Sequence, residues 1–369
     1  MFIIQIGIIS SEKQIQIKDD ELRFWLRVVH LTEYSSNVDN QTEKLACKVI
    51  DTKKCSEKFR KRFLPRELTV LLHVRHPYIV RIQAIIKCRS KVCIFMRYAE
   101  MGDLLSFLVD HGPLREPQMR IWCRQLALAI QYLHTSGIAH RDLKCENVLL
   151  SANCNVKLTD FGFARYVTEQ PNQRVQMSST FCGSFDYSAP ELLKGQPYNP
   201  KASDVWALGV LLYILFNKSV PFKGKTRQVY QLQMSRSWKF RSHVNSTLSP
   251  EVKSLIRNLL EPNPLVRWTI EEVLVCDWLV QDRRLRSLNA AEFAALAEAR
   301  VFTRHSADMN QVQAKLQRTE TSARSVTMIK EQPEPMANAA AAAGGGGGGG
   351  SAALASLLST RTSLANDPQ

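Results

Sequence analysis

Glycine is missing where many ligand-cradling turns would need it: between Gly7 and Gly102 the chain has none. Only glycine lets successive backbone amides crowd against a bound anion, so a glycine-built phosphate turn is excluded from that stretch. Paired cysteines are missing too. The nine cysteines (Cys47, Cys55, Cys88, Cys93, Cys123, Cys145, Cys154, Cys182 and Cys276) are odd in number and never spaced Cys-x-x-Cys, which excludes the usual zinc and redox motifs and points to free thiols in a reducing compartment. There is no long hydrophobic run. The apolar stretch at residues 1–9 has no basic residue before it and is too short to span a bilayer, so neither a signal peptide nor a membrane helix is expected. The expected location is cytoplasmic.

What is present is an ordinary globular composition, 45% hydrophobic and 22% charged over 369 residues, enough for a core that needs no disulfide or metal. The net charge of +15 is spread along the chain. Its densest basic run, residues 53–66, alternates with apolar and acidic residues and reads as the solvated side of a helix, not a nucleic-acid arm. Neither nucleic acid nor membrane is expected as a partner.

From about Leu45 to Leu279 strand-like runs and helix-like periodic segments follow one another without a long linker. A β-rich first part, including KVCIFMRY at residues 91–98, gives way to helical periodicity such as residues 117–133, where Pro117 suits a first turn. Beyond about residue 290 the pattern decays. Residues 339–350, five alanines and then seven glycines, cannot build a core, and the chain past about Thr303 is expected to be disordered. An Ala-rich helix near residues 290–300 is expected to fray rather than pack.

The strongest signal is His140-Arg141-Asp142-Leu143-Lys144-Cys145-Glu146-Asn147, followed by Asp160-Phe161-Gly162 and then Ala189-Pro190-Glu191. In this order and at these separations the three motifs resemble the protein-kinase signature set. The resemblance implies an α+β, two-lobed protein kinase fold, with a small β-rich N-lobe, incomplete at its start, and a larger helical C-lobe. It divides the chain into an atypical segment, residues 1–40, in place of the first N-lobe strands; a kinase domain, residues 41–280; and a C-terminal extension, residues 281–369.

Phosphoryl transfer asks a protein mainly for positioning and charge neutralisation. The resemblance gives Asp142 the substrate hydroxyl and Lys144 the charge developing on the γ-phosphate. Asn147 and Asp160 supply the hard oxygen ligands that Mg²⁺ prefers. Upstream, Ala46-Cys47-Lys48-Val49-Ile50 resembles the strand whose lysine holds the ATP phosphates, with Glu67 as its counter-ion on a helix over residues 58–72. Residues 95–103 (FMRYAEMGD) resemble the lobe-connecting hinge: Met96 faces the adenine pocket, the backbone at Tyr98 and Ala99 bonds the purine edge, and Ala46 and Leu149 sandwich the ring. Leu71, Ile82, His140 and Phe161 are implied to stack as a spine between lobes. His140 is therefore scaffold, not base.

Lys144 within HRDLKCEN and Ser184 after Cys182-Gly183 follow the serine/threonine pattern, so the expected activity is transfer of the ATP γ-phosphate to Ser or Thr of proteins. Asp103 and Glu146 are carboxylates suited to basic residues ahead of the acceptor. A third acidic position used by strongly basic-directed kinases is Ile214 here, which weakens that preference. Thr180 is placed like an activation-loop phosphosite that Arg141 can pair with. The segment Asp204 to Gly209 resembles the buried helix that anchors the catalytic loop, and Arg267 is expected to pair with Glu191.

LKCENVLL, the run Arg62 to Leu68 and the run Ser179 to Ser184 are similar to the testis-specific serine kinase family, in the calcium/calmodulin-dependent-kinase-like group. That similarity implies a role in sperm development. The absent Gly-x-Gly-x-x-Gly turn leaves an active kinase and a catalytically weak pseudokinase or scaffold both open, with a small-molecule phosphotransferase third. A monomer is expected.

Overall fold

The computed structural model describes residues 15–24, 27–35, 42–167, 177–179 and 182–301. Thr180 and the tail past Thr303 lie outside the described residues.

The first layer is a five-stranded antiparallel sheet in the order β1-β2-β3-β5-β4, built from β1 (Ile15–Phe24), β2 (Arg27–Ser35), β3 (Thr42–Asp51), β4 (Ile82–Cys88) and β5 (Lys91–Arg97). Two of these strands, β1 and β2, lie within residues 1–40, the segment whose sequence does not resemble the first N-lobe strands. The pairing of β1 with β2 shifts register between Lys18 and Leu22, so Asp19-Asp20-Glu21 falls in a bulge. Such an insertion breaks the period-two alternation by which a strand is recognised.

Strand β3 sits centrally and alternates faces. Ile50 and Ala46 join one apolar cluster with Leu64, Leu68, Ile94 and Met96, whereas Leu45, Cys47 and Val49 join Phe95 on the opposite face. The first face is covered by α1 (Leu64–His73), preceded by a wider π turn at Phe59–Phe63. Pro65 accounts for the widening: it has no N–H to give the carbonyl four residues back, and its ring crowds that carbonyl.

A second, helical body follows. It contains α2 (Leu104–His111), α3 (Glu116–Thr135), α4 (Pro190–Leu193), α5 (Pro200–Asn217), α6 (Thr226–Met234), α7 (Ser242–Asn245), α8 (Pro250–Leu259), α9 (Ile270–Leu274) and α10 (Asp277–Val280). Helix α5 is buried around nearly its whole circumference, as a helix apolar on all sides must be. Where the bodies meet, β6 (Ile138–Ala139) pairs with β9 (Arg165–Tyr166), and β7 (Val148–Leu150) pairs with β8 (Val156–Leu158). These short strands hold the segments 140–147 and 159–164 between them.

Residues 290–301 are helical and correct one expectation. This helix does not fray: Ala295 and Ala299, four apart and so on one face, are buried at 6% and 0% exposure within the main core cluster.

Candidate active site

Strand β3 and helix α1 face one another, and Lys48 spans the gap. Its Nζ donates to Glu67 Oε1 at 2.7 Å and to Asp160 Oδ1 at 3.0 Å. Lys48 and Glu67 are both buried, at 8% and 1% exposure. A charge so placed must be paired, because an isolated one would forfeit its hydration without return. The sequence-level pair is therefore formed, and it reaches across to the second body through Asp160.

Asp160 stands just past β8 with φ of 62°, a region that Asp tolerates better than most residues. Its Oδ1 also accepts the Gly162 N–H at 3.3 Å, which stabilises that turn. Phe161 is buried and meets His140 edge-to-face with centroids 5.1 Å apart. Leu71 packs against both the sheet cluster and the main core, and Leu71, Ile82 and Phe161 line one small cavity behind Lys48. The implied inter-lobe stack is thus present in space.

The loop between β6 and β7 hangs on α5. Asp204 Oδ2 accepts His140 N–H at 2.9 Å and Oδ1 accepts Arg141 N–H at 2.7 Å, with His134 Nε2 at 2.9 Å from Oδ2. These bonds hold Arg141 at φ of 65°, a left-handed conformation costing on the order of 1–3 kcal/mol that persists only under such restraint. His140 is held from both sides: its Nδ1 accepts the Asp142 N–H at 3.3 Å, so Nε2 carries the hydrogen given to Thr159 O at 3.1 Å. With both ring nitrogens occupied, His140 is scaffold.

Asp142 is 4% exposed and its two oxygens are bound separately. Oδ1 accepts Ser184 N–H and Ser184 Oγ–H, each at 3.1 Å; Oδ2 accepts Asn147 Nδ2 at 2.9 Å and lies 3.0 Å from Lys144 Nζ. Lys144 Nζ also donates to Ser184 Oγ at 3.0 Å. Asn147 Nδ2 donates further to Asp142 O at 2.8 Å, which orients the amide so that its Oδ1 is the atom that could meet a cation. Gly183, preceding Ser184, has φ of +95°, and a β-carbon there would lie 2.6 Å from Arg141 O. Sequence reasoning passed over Gly183; its place between Cys182 and Ser184 was visible, but the close backbone approach was not.

Ala46 pairs with Met96 in the β3–β5 register, and Ala46 and Leu149 both pack against the cluster containing Met96. Tyr98 and Ala99 follow β5 directly on the link to α2. Asp103 caps α2, accepting Ser106 N–H and Ser106 Oγ–H at 2.9 Å each. Glu146 has an Oε2 that is buried without a hydrogen-bond partner. Burial pushes its pKa up, and Asp103 and Asp142 add to that against Lys144. A buried, unpartnered carboxylate oxygen within the field of two others is a cation-seeking position. Ile214 is core, 2% exposed.

An arginine cluster also escaped the sequence. Arg141 Nη1 and Arg165 Nη1 both donate to Ser178 Oγ at 3.0 Å, and the Arg66 guanidinium is pushed down by burial and then by Arg141, Arg165 and Arg62. The four-residue spacing of Arg62 and Arg66 was the available signal. Farther out, Arg267 forms the expected bidentate pair with Glu191, at 2.7 and 2.9 Å.

Residues 34–279 match the protein kinase domain family. Testis-specific serine/threonine-protein kinase 3 of Homo sapiens is 40% identical over 237 residues, 64% of this chain and 86% of that protein. Testis-specific serine/threonine-protein kinase 2 of Mus musculus is 38% identical over 258 residues, 69% of this chain and 71% of that protein. Testis-specific serine/threonine-protein kinase 4 of Homo sapiens is 37% identical over 259 residues, covering 67% and 78%. With the lysine–glutamate pair and the Asp142 constellation in the places such a domain requires, the chain belongs to the protein kinase family, as a serine/threonine kinase of the testis-specific group.

Proposed function

We propose that this chain is an active kinase that transfers the ATP γ-phosphate to Ser or Thr of protein substrates carrying basic residues before the acceptor. The observation that carries the reading is the closed Lys48–Glu67–Asp160 arrangement, with Nζ at 2.7 and 3.0 Å: the cation for the ATP phosphates already points at the residue that would hold the metal. The donor set suits Mg²⁺, which takes one or two protein oxygens and completes its shell with phosphates and water. Asn147 and Asp160 would hold it. When bound it neutralises charge on the transferring group.

Asp142 orients the acceptor hydroxyl and takes its proton as the new oxygen–phosphorus bond forms and the bond between the γ-phosphorus and the β–γ bridging oxygen breaks. Lys144, tied to Asp142 and Ser184, offsets the developing charge. Ala46, Met96 and Leu149 line the adenine side, and the backbone at Tyr98 and Ala99 meets the purine edge. Glu146 and Asp103 receive the substrate's arginines. Phosphorylation of Thr180 brings roughly two negative charges toward Arg141, Arg165 and Arg66 and activates the enzyme. The relatives' names support a role in spermatogenesis. The free state of all nine cysteines supports a cytoplasmic location, and no helix among the described residues is long and apolar enough to cross a membrane. The enzyme acts as a monomer made of a kinase domain, residues 41–280, and an extension.

One observation favours a second reading, a weak pseudokinase or scaffold: strands β1 and β2 form, yet the sequence from residue 8 to residue 101 holds no glycine. The test is incorporation of phosphate from ATP and Mg²⁺ into a Ser/Thr peptide with arginines ahead of the acceptor, beside one with those arginines replaced by glutamate. Selective labelling of the first supports the active reading. No labelling after Thr180 phosphorylation supports the second.

A further inference from the structure

The loop joining α1 to β4, residues 74–81, decides where α1 and hence Glu67 can sit. It is fixed at several points. Arg75 N–H donates to Tyr132 OH of α3 at 2.9 Å, Tyr78 O accepts Leu158 N–H at 2.8 Å, and Val80 N–H donates to Leu158 O at 2.9 Å. Leu158 is the last residue of β8, two before Asp160. The loop therefore touches both ends of the Lys48 bridge: Glu67 through α1 and Asp160 through β8.

A further anchor comes from beyond the family match. Tyr78 OH donates to Glu292 Oε1 at 2.5 Å, deep in the structure. Glu292 is 2% exposed and lies in the first turn of the helix at residues 290–301. Asn289 caps that turn reciprocally: Glu292 N–H donates to Asn289 Oδ1 and Asn289 N–H to Glu292 Oε2, each at 2.9 Å. Arg124 of α3 clamps the same carboxylate at 2.9 and 3.0 Å and donates to Leu285 O and Ser287 O. Burial works against the charged carboxylate, but the bonds from Arg124, Tyr78 and Asn289 outweigh it and hold the Glu292 pKa below its usual value. So many donors on one buried acceptor specify a position as well as stabilise it.

We propose that Glu292 is a positioning residue for the ATP site, holding the α1–β4 loop through Tyr78 and thereby setting α1 and the Lys48–Glu67 pair. The inference deepens the kinase reading above, because its consequence for nucleotide rests on Lys48 meeting ATP. A segment outside the match at residues 34–279 thus becomes part of what makes the site competent.

Tyr78→Phe is the informative variant, since it removes one hydroxyl and leaves the Arg124–Glu292 clamp intact; Glu292→Gln is the second. Phe293→Ala, 66% exposed on the same helix, is the control. Amide hydrogen exchange on the full chain without nucleotide is expected to rise over residues 64–80 in both variants, with α5 and the control unchanged. ATP affinity is expected to weaken about three- to tenfold, the size of coupling carried along a packed route, with KM for peptide unchanged. Exchange that rises only in residues 286–301, or uniformly through α5 as well, overturns the proposal, as does unaltered exchange. A wild-type chain that neither binds ATP nor labels peptide would defeat the kinase reading instead, and the exchange result would still decide this one.

Discussion

Ser184 gives both its backbone N–H and its hydroxyl to one oxygen of Asp142, each at 3.1 Å, while receiving Lys144 Nζ at 3.0 Å. One serine from the segment leading to α4 thus fixes both residues read as catalytic, and leaves the other Asp142 oxygen to Asn147 and Lys144. Ser184→Ala is expected to lower kcat about 10- to 100-fold, because a hydrogen bond to a charged group contributes roughly 1.5–3 kcal/mol. KM for ATP should move less than kcat, since Lys144 keeps its contact with Asp142 Oδ2 at 3.0 Å and the Lys48–Glu67 pair is not touched. Steady-state kinetics on both substrates checks the split.

Gly183→Ala should be at least as damaging although it removes no functional group. A β-carbon would press 2.6 Å from the Arg141 carbonyl at a φ of +95°, so the backbone beside Asp142 must shift. A displacement of that kind costs on the order of a hundredfold in rate. Full activity in this variant would contradict the geometry assigned to the loop.

The Arg267–Glu191 pair predicts an effect on stability. Arg267 is 4% exposed and bidentate to Glu191, so Arg267→Ala leaves a carboxylate with an uncompensated charge and is expected to cost about 3–5 kcal/mol. Chemical denaturation measures it directly.

Acid sensitivity follows from the α1–β4 loop. The half-buried His76 ring packs on Tyr132 and Tyr78 and its Nδ1 accepts the Tyr78 N–H at 3.2 Å. Burial pushes its pKa down to about 3, with Lys157 helping and Glu292 opposing. Between that value and the ordinary 6.5 the unfolded chain binds a proton that the folded chain refuses. Stability therefore falls as pH falls through this window, by at most about 1.4 kcal/mol per pH unit. Glu292, held low, contributes stability above its ordinary 4.5 and loses it only at more acid pH. The melting temperature is expected to drop between about pH 7 and about pH 5, and His76→Gln, which can still accept the Tyr78 N–H, should flatten that slope.

The site was more legible than its supports. Asp142, Asn147 and Asp160 sit in short motifs that resemble the protein-kinase signature and whose residue types suit phosphate chemistry, and the same resemblance paired Lys48 with Glu67. Strand β1 was hidden by a bulge at the acidic run 19–21, which destroys alternation. The docking of residues 290–301 was hidden because alanines bury without a hydrophobic signature, and because Arg124 and Glu292 are 168 residues apart. No local pattern can announce such a pairing. Arg165 joined Arg141 and Arg66 for the same reason: the cluster exists only once β9 has paired with β6.

The central claim is tested most directly by phosphate transfer from ATP and Mg²⁺ to an arginine-containing Ser/Thr peptide, comparing the full chain with Asp142→Asn. The expected result is incorporation by the wild type that falls about 10²- to 10⁴-fold in the variant, the usual contribution of a positioned proton acceptor. Equal incorporation by both, or none by the Thr180-phosphorylated wild type, would contradict it.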